Sequence, residues 1–221
     1  MKFPFKLFFL LLIFCNPVWA EISVGYLIKT KGVSIGKMYW TVDTEDGFYN
    51  SSIKLDSTGF FSNLYKFSGR YKSSGLIQNK SFTTKKYIQE WNTSQKKKIV
   101  EIDFDKNKII KLSLSPNETE NPRLDFLNLE GYKDPVTSFL TILYYGKESL
   151  TIDGRRTYLL AIEKKPSFIK ITTKNFNNIW ADHKRNDLSY INIYSENEGI
   201  FPDKIEINFK GGLFVLKRFK I

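Results

Sequence analysis

Apolar and polar residues alternate in short segments along almost the whole chain from Val24 onward. The segments are rich in Ile, Val, Phe, Tyr and Thr, and clusters of Gly, Asn, Asp and Ser separate them. Turn signals recur at intervals of roughly ten residues, which is typical of antiparallel sheets, sandwiches and barrels. The pattern predicts a mainly β fold.

The first part of this pattern predicts three strands in succession. Residues 24–30 and 33–42 form a hairpin about Lys31-Gly32, and residues 48–55 form the third strand. Residues 59–95 are less regular. We expect a helical turn within GFFSNLYKFSG and one further strand within FTTKKYIQEW.

The alternating segments Val100-Ile102-Phe104 and Ile110-Leu112-Leu114 predict a second hairpin. If both apolar sets share one face, residues 104 and 110 pair, which leaves a three-residue loop centred on Asn107. We expect a left-handed residue in that loop.

Two later hairpins carry stronger turn signals. Asp153-Gly154 is a two-residue turn signal between apolar segments, and Gly211-Gly212 marks the turn of the last hairpin. In the last hairpin this register places Phe209 opposite Phe214 and Glu206 opposite Lys217.

The stretch KDPVTSFLTILYY predicts one amphipathic helix over residues 134–145. Asp134 suits the N-cap, Pro135 suits the first helical position, and Gly146 is placed to end the helix. Apolar residues recur at helical spacing on one face: Val136, Phe139, Leu140, Leu143 and Tyr144.

A lone amphipathic helix must bury its apolar face against the sheet, since no second strong helix is present to receive it. We therefore predict a strongly curved antiparallel sheet or half-open barrel, with the helix packed on the concave face. The long loop 115–131 is expected to act as a lid or a strap.

The first 20 residues have the layout of a secretory signal peptide. Lys2 and Lys6 precede an apolar run that ends at Cys15, and small Ala20 closes the segment. The apolar run is far shorter than the roughly 20 residues that span a bilayer, so we expect cleavage after Ala20 and no transmembrane anchor. The predicted location is the periplasm, and residues 21–221 form a single β-rich domain.

The composition restricts the chemistry of that domain. Cys15 is the only cysteine and leaves with the signal peptide, so the mature chain has neither a disulfide nor a thiolate metal site. Removing Lys2 and Lys6 lowers the formal charge from +11 to +9. Because the lysines are spread along the chain, we expect no nucleic-acid binding. We also expect the protein to be a monomer.

Several of these segments together resemble the bacterial secreted proteins of domain-of-unknown-function family 3108 (DUF3108). The shared elements are Tyr26-Leu27-Ile28, Gly36, Gly59-Phe60-Phe61, Asp134-Pro135, Asp153-Gly154-Arg155-Arg156 and Pro202. The resemblance implies a fold like that of the lipoprotein carriers of the LolA and LolB type, in which a curved sheet closes over an apolar cavity. It implies no established function, and the cysteine pair of many relatives is missing here.

A catalytic constellation does not emerge from the sequence. His183 is the sole histidine and lies in a polar run, so neither a histidine metal site nor a triad is indicated. No nucleophile elbow, phosphate-binding loop or calcium loop is present. We expect no enzyme activity, no metal and no cofactor.

Two groups of residues are candidates for binding. Phe139, Leu143 and Tyr144 are predicted to roof an apolar ligand site, with Trp40 and Trp91 as walls. Alternatively these aromatic residues are ordinary core. Arg155 and Arg156 are candidate anion ligands, because guanidinium groups bind carboxylates and phosphates, or they simply follow the turn.

Two functional hypotheses follow from these candidates. In the first, the protein is a non-enzymatic envelope factor that binds a lipid or acyl chain between the sheet and the helix. In the second, the helix fills the core, and the protein is an interaction or assembly module for another envelope protein, acting through an exposed strand edge or its basic surface.

Overall fold

Thirteen antiparallel strands form one continuous sheet in the computed structural model, which describes residues 22–106, 108–181, 186–196 and 199–220. The predicted signal peptide with Cys15, the loop residue Asn107 and His183 lie outside the described residues. The first seven strands are β1 (Ile22–Thr30), β2 (Val33–Glu45), β3 (Phe48–Ser57), β4 (Phe67–Gln78), β5 (Ser81–Thr93), β6 (Lys97–Asp105) and β7 (Lys108–Ser115). The remaining strands are β8 (Ser149–Ile152), β9 (Arg156–Lys164), β10 (Ile169–Asn178), β11 (Leu188–Tyr194), β12 (Lys204–Phe209) and β13 (Gly212–Phe219).

The two halves of the chain each form a meander, and the meanders join in the middle of the sheet. The strand order is β7-β6-β5-β4-β3-β2-β1-β13-β12-β11-β10-β9-β8. The first and last strands are therefore neighbours, and β7 and β8 are the edges. The prediction of a mainly β, strongly curved antiparallel sheet is confirmed.

The main helix, α2 (Pro135–Tyr145), lies between the two meanders in the chain and is capped as predicted. The Asp134 carboxylate accepts hydrogen bonds from the backbone N–H groups of Val136 and Thr137, at 2.9 and 3.1 Å. Gly146 ends the helix in the left-handed conformation. A six-residue helix α1 (Gly59–Leu64) confirms the helical turn, and a 3-10 helix covers Phe126–Asn128.

The Asp134 carboxylate also anchors helix α2 to the sheet. Its second oxygen accepts hydrogen bonds from Ser73 on β4 and Thr84 on β5, at 2.8 and 2.7 Å, and from Thr137. The Tyr49 hydroxyl lies 2.6 Å from that of Thr137. All of these groups are buried, so the carboxylate both caps the helix and satisfies hydroxyls on two strands.

The segment 116–133, here called the strap, connects the two sheet edges. Glu130 forms a bridge and a 2.7 Å ion pair with Lys108 on β7, whereas Lys133 forms a parallel bridge with Thr151 on β8. These strap residues are only three positions apart, so the sheet must curl until its edges nearly meet. The loop predicted as a lid or strap is therefore a strap.

The turn between β8 and β9 also crosses the gap between the edges. Gly154 has a φ of 89°, and a Cβ placed there would lie 2.4 Å from a methyl group of Val100 on β6. Trp180 donates a hydrogen bond to the Gly154 carbonyl at 3.0 Å. The turn needs glycine both for its conformation and for this close packing.

Two predicted hairpin registers are wrong. Phe104 pairs with Ile109 instead of Ile110, because a bulge follows Asp103, and Ile109 is buried while Ile110 is 60% exposed. The left-handed residue described in this turn is Lys106, with a φ of 45°.

The last hairpin turns at Lys210-Gly211, so Phe209 pairs with Gly212. Because the shift from the predicted register is two residues, the same side chains still share a face. Glu206 pairs with Val215 and makes an ion pair with Lys204 at 3.0 Å, rather than with Lys217.

The turn after β8 is likewise displaced by one residue. Asp153 hydrogen-bonds with Arg156 across the turn, so Gly154 and Arg155 are its central residues. The Asp153 carboxylate stabilises the turn by accepting hydrogen bonds from the backbone N–H groups of Arg155 and Arg156, at 2.9 and 2.8 Å.

Strand β4 has no counterpart among the predicted elements, because small residues interrupt the alternation of apolar and polar side chains along it. The ring of Trp91 covers Gly69, and a Cβ on Gly75 would lie 1.8 Å from the backbone oxygen of Thr83 at a bulge. Glycine is required at both positions by close approach of a neighbouring group. Composition alone makes this strand resemble a loop.

Candidate functional site

An apolar cavity of 260 Å³ lies between the two halves of the curved sheet and the first turns of helix α2. It is lined by Met38, Trp40, Ile53, Leu55, Tyr71, Pro135, Val136, Phe139, Tyr158, Leu160, Leu188, Ile191, Ile205, Ile207 and Leu216. The lining thus comes from β2, β3 and β4 on one side and from β9, β11, β12 and β13 on the other. Neither half of the chain forms this cavity alone.

The strand register explains why these side chains converge. Trp40 pairs with Ile53, and Ile53 pairs with Tyr71, so the three side chains lie side by side on the concave face. Ile205 pairs with Leu216 in the other half of the sheet. The Trp40 indole donates a hydrogen bond to Ser51 at 2.9 Å, which satisfies its buried N–H group.

Two of the predicted apolar-site residues line this cavity. Trp40 is buried, and the ring of half-buried Phe139 packs against it with 5.8 Å between centroids. On the rest of the predicted apolar face of α2, Val136 and Leu140 are buried and Leu143 and Tyr144 are partly buried. Polar Thr137, Ser138 and Thr141 are buried as well. Their hydroxyls are hydrogen-bonded, which makes that burial possible.

The other three predicted residues lie elsewhere. Leu143 packs in a cluster around Ile142, and Tyr144 makes an edge-to-face contact with Phe82 at 5.0 Å. Trp91 stacks on Phe67 at 5.6 Å. None of the three lines the cavity. Leu143 and Tyr144 on helix α2 contact other side chains, and Trp91 on β5 stacks with Phe67 instead.

A second cavity of 360 Å³ adjoins the apolar one, and we call it the mouth. The two cavities share four lining residues: Tyr71, Pro135, Tyr158 and Leu188. The mouth adds polar and aromatic side chains: Tyr87, Gln89, Asp153, Arg156, Thr173, Phe176, Asn186, Asp187 and Phe209. The apolar cavity therefore adjoins one with a mixed polar and aromatic lining.

The two arginines proposed as an anion site have different surroundings. Arg155 makes an ion pair with Glu118 of the strap, so it joins the strap to the turn. Arg156 lines the mouth, its side chain is 46% exposed, and it forms a long ion pair with an Asp153 carboxylate oxygen at 3.8 Å. The two arginines therefore do not form a single site, and of the two it is Arg156 that lines the mouth.

Burial shifts the ionisation of several groups around the two cavities. Withdrawal from water raises the pKa of Tyr71 to about 12, and it raises the pKa of Tyr158 above its ordinary value. The pKa of the Asp153 carboxyl is also raised by burial, an effect that Arg156 and backbone hydrogen bonds partly oppose. These tyrosines remain neutral hydroxyl groups at neutral pH.

The sequence indicated Trp40, Phe139 and Arg156 but missed most of the lining. Leu188 on β11 and Thr173 on β10 are distant in sequence from the helix. No local pattern distinguishes them from other strand residues, because only the curvature of the sheet brings them to the site.

The described residues contain no cluster of three or more His, Cys, Asp or Glu side chains suited to a metal ion. In the same part of the chain, none of the helices is both long and apolar enough to cross a bilayer.

Comparison with known proteins gives a family and a fold. The family model described as "Protein of unknown function (DUF3108)" matches residues 24–167. No curated protein matches the chain. The chain is similar to a solved structure described as a beta-barrel-like protein of domain of unknown function DUF1849 from Brucella abortus, at 9% identity. That likeness covers 90% of this chain and 96% of the other, with a TM-score of 0.59, and it concerns the fold alone.

Proposed function

This chain belongs to the DUF3108 family of proteins of unknown function, and on that premise we propose that it is a non-enzymatic periplasmic protein that binds an acyl chain. The periplasmic location rests on the signal-peptide pattern of residues 1–20. The ligand site is the apolar cavity between the sheet and helix α2.

One observation carries the proposal: the concave face of the sheet is not filled by the helix. The 260 Å³ left under Pro135, Val136 and Phe139 is lined almost entirely by apolar atoms. Interiors normally pack without voids larger than a water molecule, so a space of this size in an apolar lining favours a ligand. A flexible hydrocarbon chain suits this apolar lining, to which both meanders contribute.

The assembly-module hypothesis is less well supported by the sheet edges. The strap bridges both β7 and β8, so each edge already has a backbone partner at Lys108 and Thr151. An edge that recruits another protein by strand addition needs an uncovered row of backbone groups. We therefore treat protein assembly as an outcome of the test below.

Chain-length dependence gives the first test of the proposal. Burying one methylene contributes about 0.8 kcal/mol, which corresponds to about fourfold in affinity. For a series of alkyl ligands we expect affinity to rise by up to about this factor per carbon and to level off when the cavity is filled. A series with no dependence on chain length would contradict the proposal.

A matched pair of variants gives the second test. Ile207→Trp should fill the cavity, because Ile207 lines it and is only partly buried. Ile162→Trp is the control, since Ile162 is a partly buried strand residue outside the lining. Native mass spectrometry with lipid extraction should find a co-purifying acyl species on the wild type and on the control variant but not on Ile207→Trp.

Circular dichroism must show that both variants remain folded. A clean ligand-free mass from folded wild-type protein, together with no binding of added alkyl ligands, would refute the proposal. The search would then move to protein partners.

A further inference from the structure

The mouth differs from the apolar cavity because a cation lies among the described residues that line it. Among the described residues that line the mouth, only Arg156 is basic. Its guanidinium group makes one charged contact, at 3.8 Å to Asp153, which is too long for a hydrogen bond. Most of its five N–H donors are thus unused in this part of the chain.

The acidic groups of the mouth do not neutralise this cation fully. One oxygen of Asp153 is occupied by the backbone N–H groups of Arg155 and Arg156, and burial favours the neutral form of the carboxyl. Asp187, the other acidic residue of the mouth, is engaged in an interaction with another group. Lys98 and Arg155 also carry positive charge near Arg156. Burial lowers the pKa of Lys98, and repulsion by Arg155 and Arg156 lowers it further.

Neutral hydrogen-bonding groups lie beside Arg156 in the mouth. The Tyr87 hydroxyl donates to Gln89 at 3.0 Å, and Tyr71 and Tyr158 lie at the boundary between the mouth and the apolar cavity. A ligand that passes this boundary meets hydrocarbon on one side and polar groups on the other.

We infer that the ligand is an amphiphile with an anionic head group, a carboxylate or a phosphate, which Arg156 binds in the mouth while the alkyl chain occupies the apolar cavity. This inference rests on the proposed function and deepens it. Arginine suits both head groups, because its planar fork of donors matches two oxygens of either one. The mouth and the apolar cavity adjoin and share four lining residues, so one molecule can occupy both.

The test compares lauric acid with dodecanol, which has the same chain length and a neutral head. Binding is measured by calorimetry at about pH 8, where the carboxylic acid is ionised. A hydrogen-bonded charge pair should make lauric acid bind about tenfold or more tightly than dodecanol. Dodecyl phosphate is then compared with lauric acid. The anion that binds with the higher affinity identifies the preferred head group.

The variants assign this preference to Arg156. Arg156→Gln should bring lauric acid down to the affinity of dodecanol and leave dodecanol binding unchanged. Arg155→Gln is the matched control, because Arg155 pairs with Glu118 outside the mouth, and it should keep the preference for the anion.

Equal affinity of the wild type for lauric acid and dodecanol would overturn the inference while leaving the apolar site intact. A preference for lauric acid that survives in Arg156→Gln would also overturn it. If neither compound binds to folded protein, both the inference and the proposed function fail.

Discussion

Replacing Asp134 with alanine tests whether one buried carboxylate holds helix α2 on the sheet. The substitution removes the acceptor for two backbone N–H groups at the helix start and for the hydroxyls of Ser73, Thr84 and Thr137. The helix roofs the proposed cavity, so its anchoring affects both stability and the site.

The expected loss of stability has two parts. Loss of the N-cap costs about 0.5–2 kcal/mol. The hydroxyls of Ser73 and Thr137 lie 2.8 Å apart and can pair with each other, so we count one buried donor left unsatisfied, at about 1–3 kcal/mol. The free energy of unfolding should therefore fall by about 1.5–5 kcal/mol.

Urea unfolding, followed by circular dichroism and tryptophan fluorescence, measures this change. Asp134→Asn should lose less, because asparagine caps helices about as well as aspartate and still offers an acceptor. Asp125→Ala is the control, since Asp125 is exposed and caps no backbone group with its side chain, and it should change stability by no more than about 0.5 kcal/mol. If Asp134→Ala were indistinguishable from the control, the anchoring role would be refuted.

Three further predictions concern the turn, the bulge and the mouth. Gly154→Ala should destabilise the protein by about 2–4 kcal/mol through strain at positive φ and overpacking, whereas Gly211→Ala, with open space around it, should be nearly neutral in the same unfolding assay. Ile109→Ala should cost about 2–5 kcal/mol and Ile110→Ala at most about 0.5 kcal/mol; similar losses would contradict the bulge. Since burial raises the pKa of Tyr71 to about 12, its contribution to stability is fully present below about pH 10 and is lost as the pH rises toward 12. Tyr71→Phe should therefore lose less stability than the wild type over that interval in alkaline unfolding, and an identical pH profile would show that Tyr71 is not buried as described.

Features set by local chemistry were predictable from the sequence. Three residues determine where helix α2 begins and ends. Asp134 caps its first turn, Pro135 fixes the backbone of the first helical residue, and Gly146 ends it in the left-handed conformation. Each of these effects acts within one turn of the helix. The alternation of β1 and β2 likewise gave their hairpin about Lys31-Gly32. These interactions join residues close in sequence, so no distant contact can alter them easily.

Registers were less predictable, because one extra residue in a bulge costs little and changes every later pairing. Ile109 and Ile110 have nearly identical side chains, and only the packing against β6 decides which one is buried. Strand β4 was missed for a related reason: its small residues are explained by Trp91 and Thr83, which approach from another strand.

The sequence by itself determined a mainly β protein with one capped helix, and it indicated Trp40, Phe139 and Arg156 as candidates for binding. Only the tertiary structure decided that Trp91, Leu143 and Tyr144 lie outside the cavity and that Arg155 and Arg156 have different surroundings. The reason is geometric. The curvature of a sheet accumulates over many strands, so which distant side chains meet across its concave face depends on the sum of all twists and bulges and not on any local pattern.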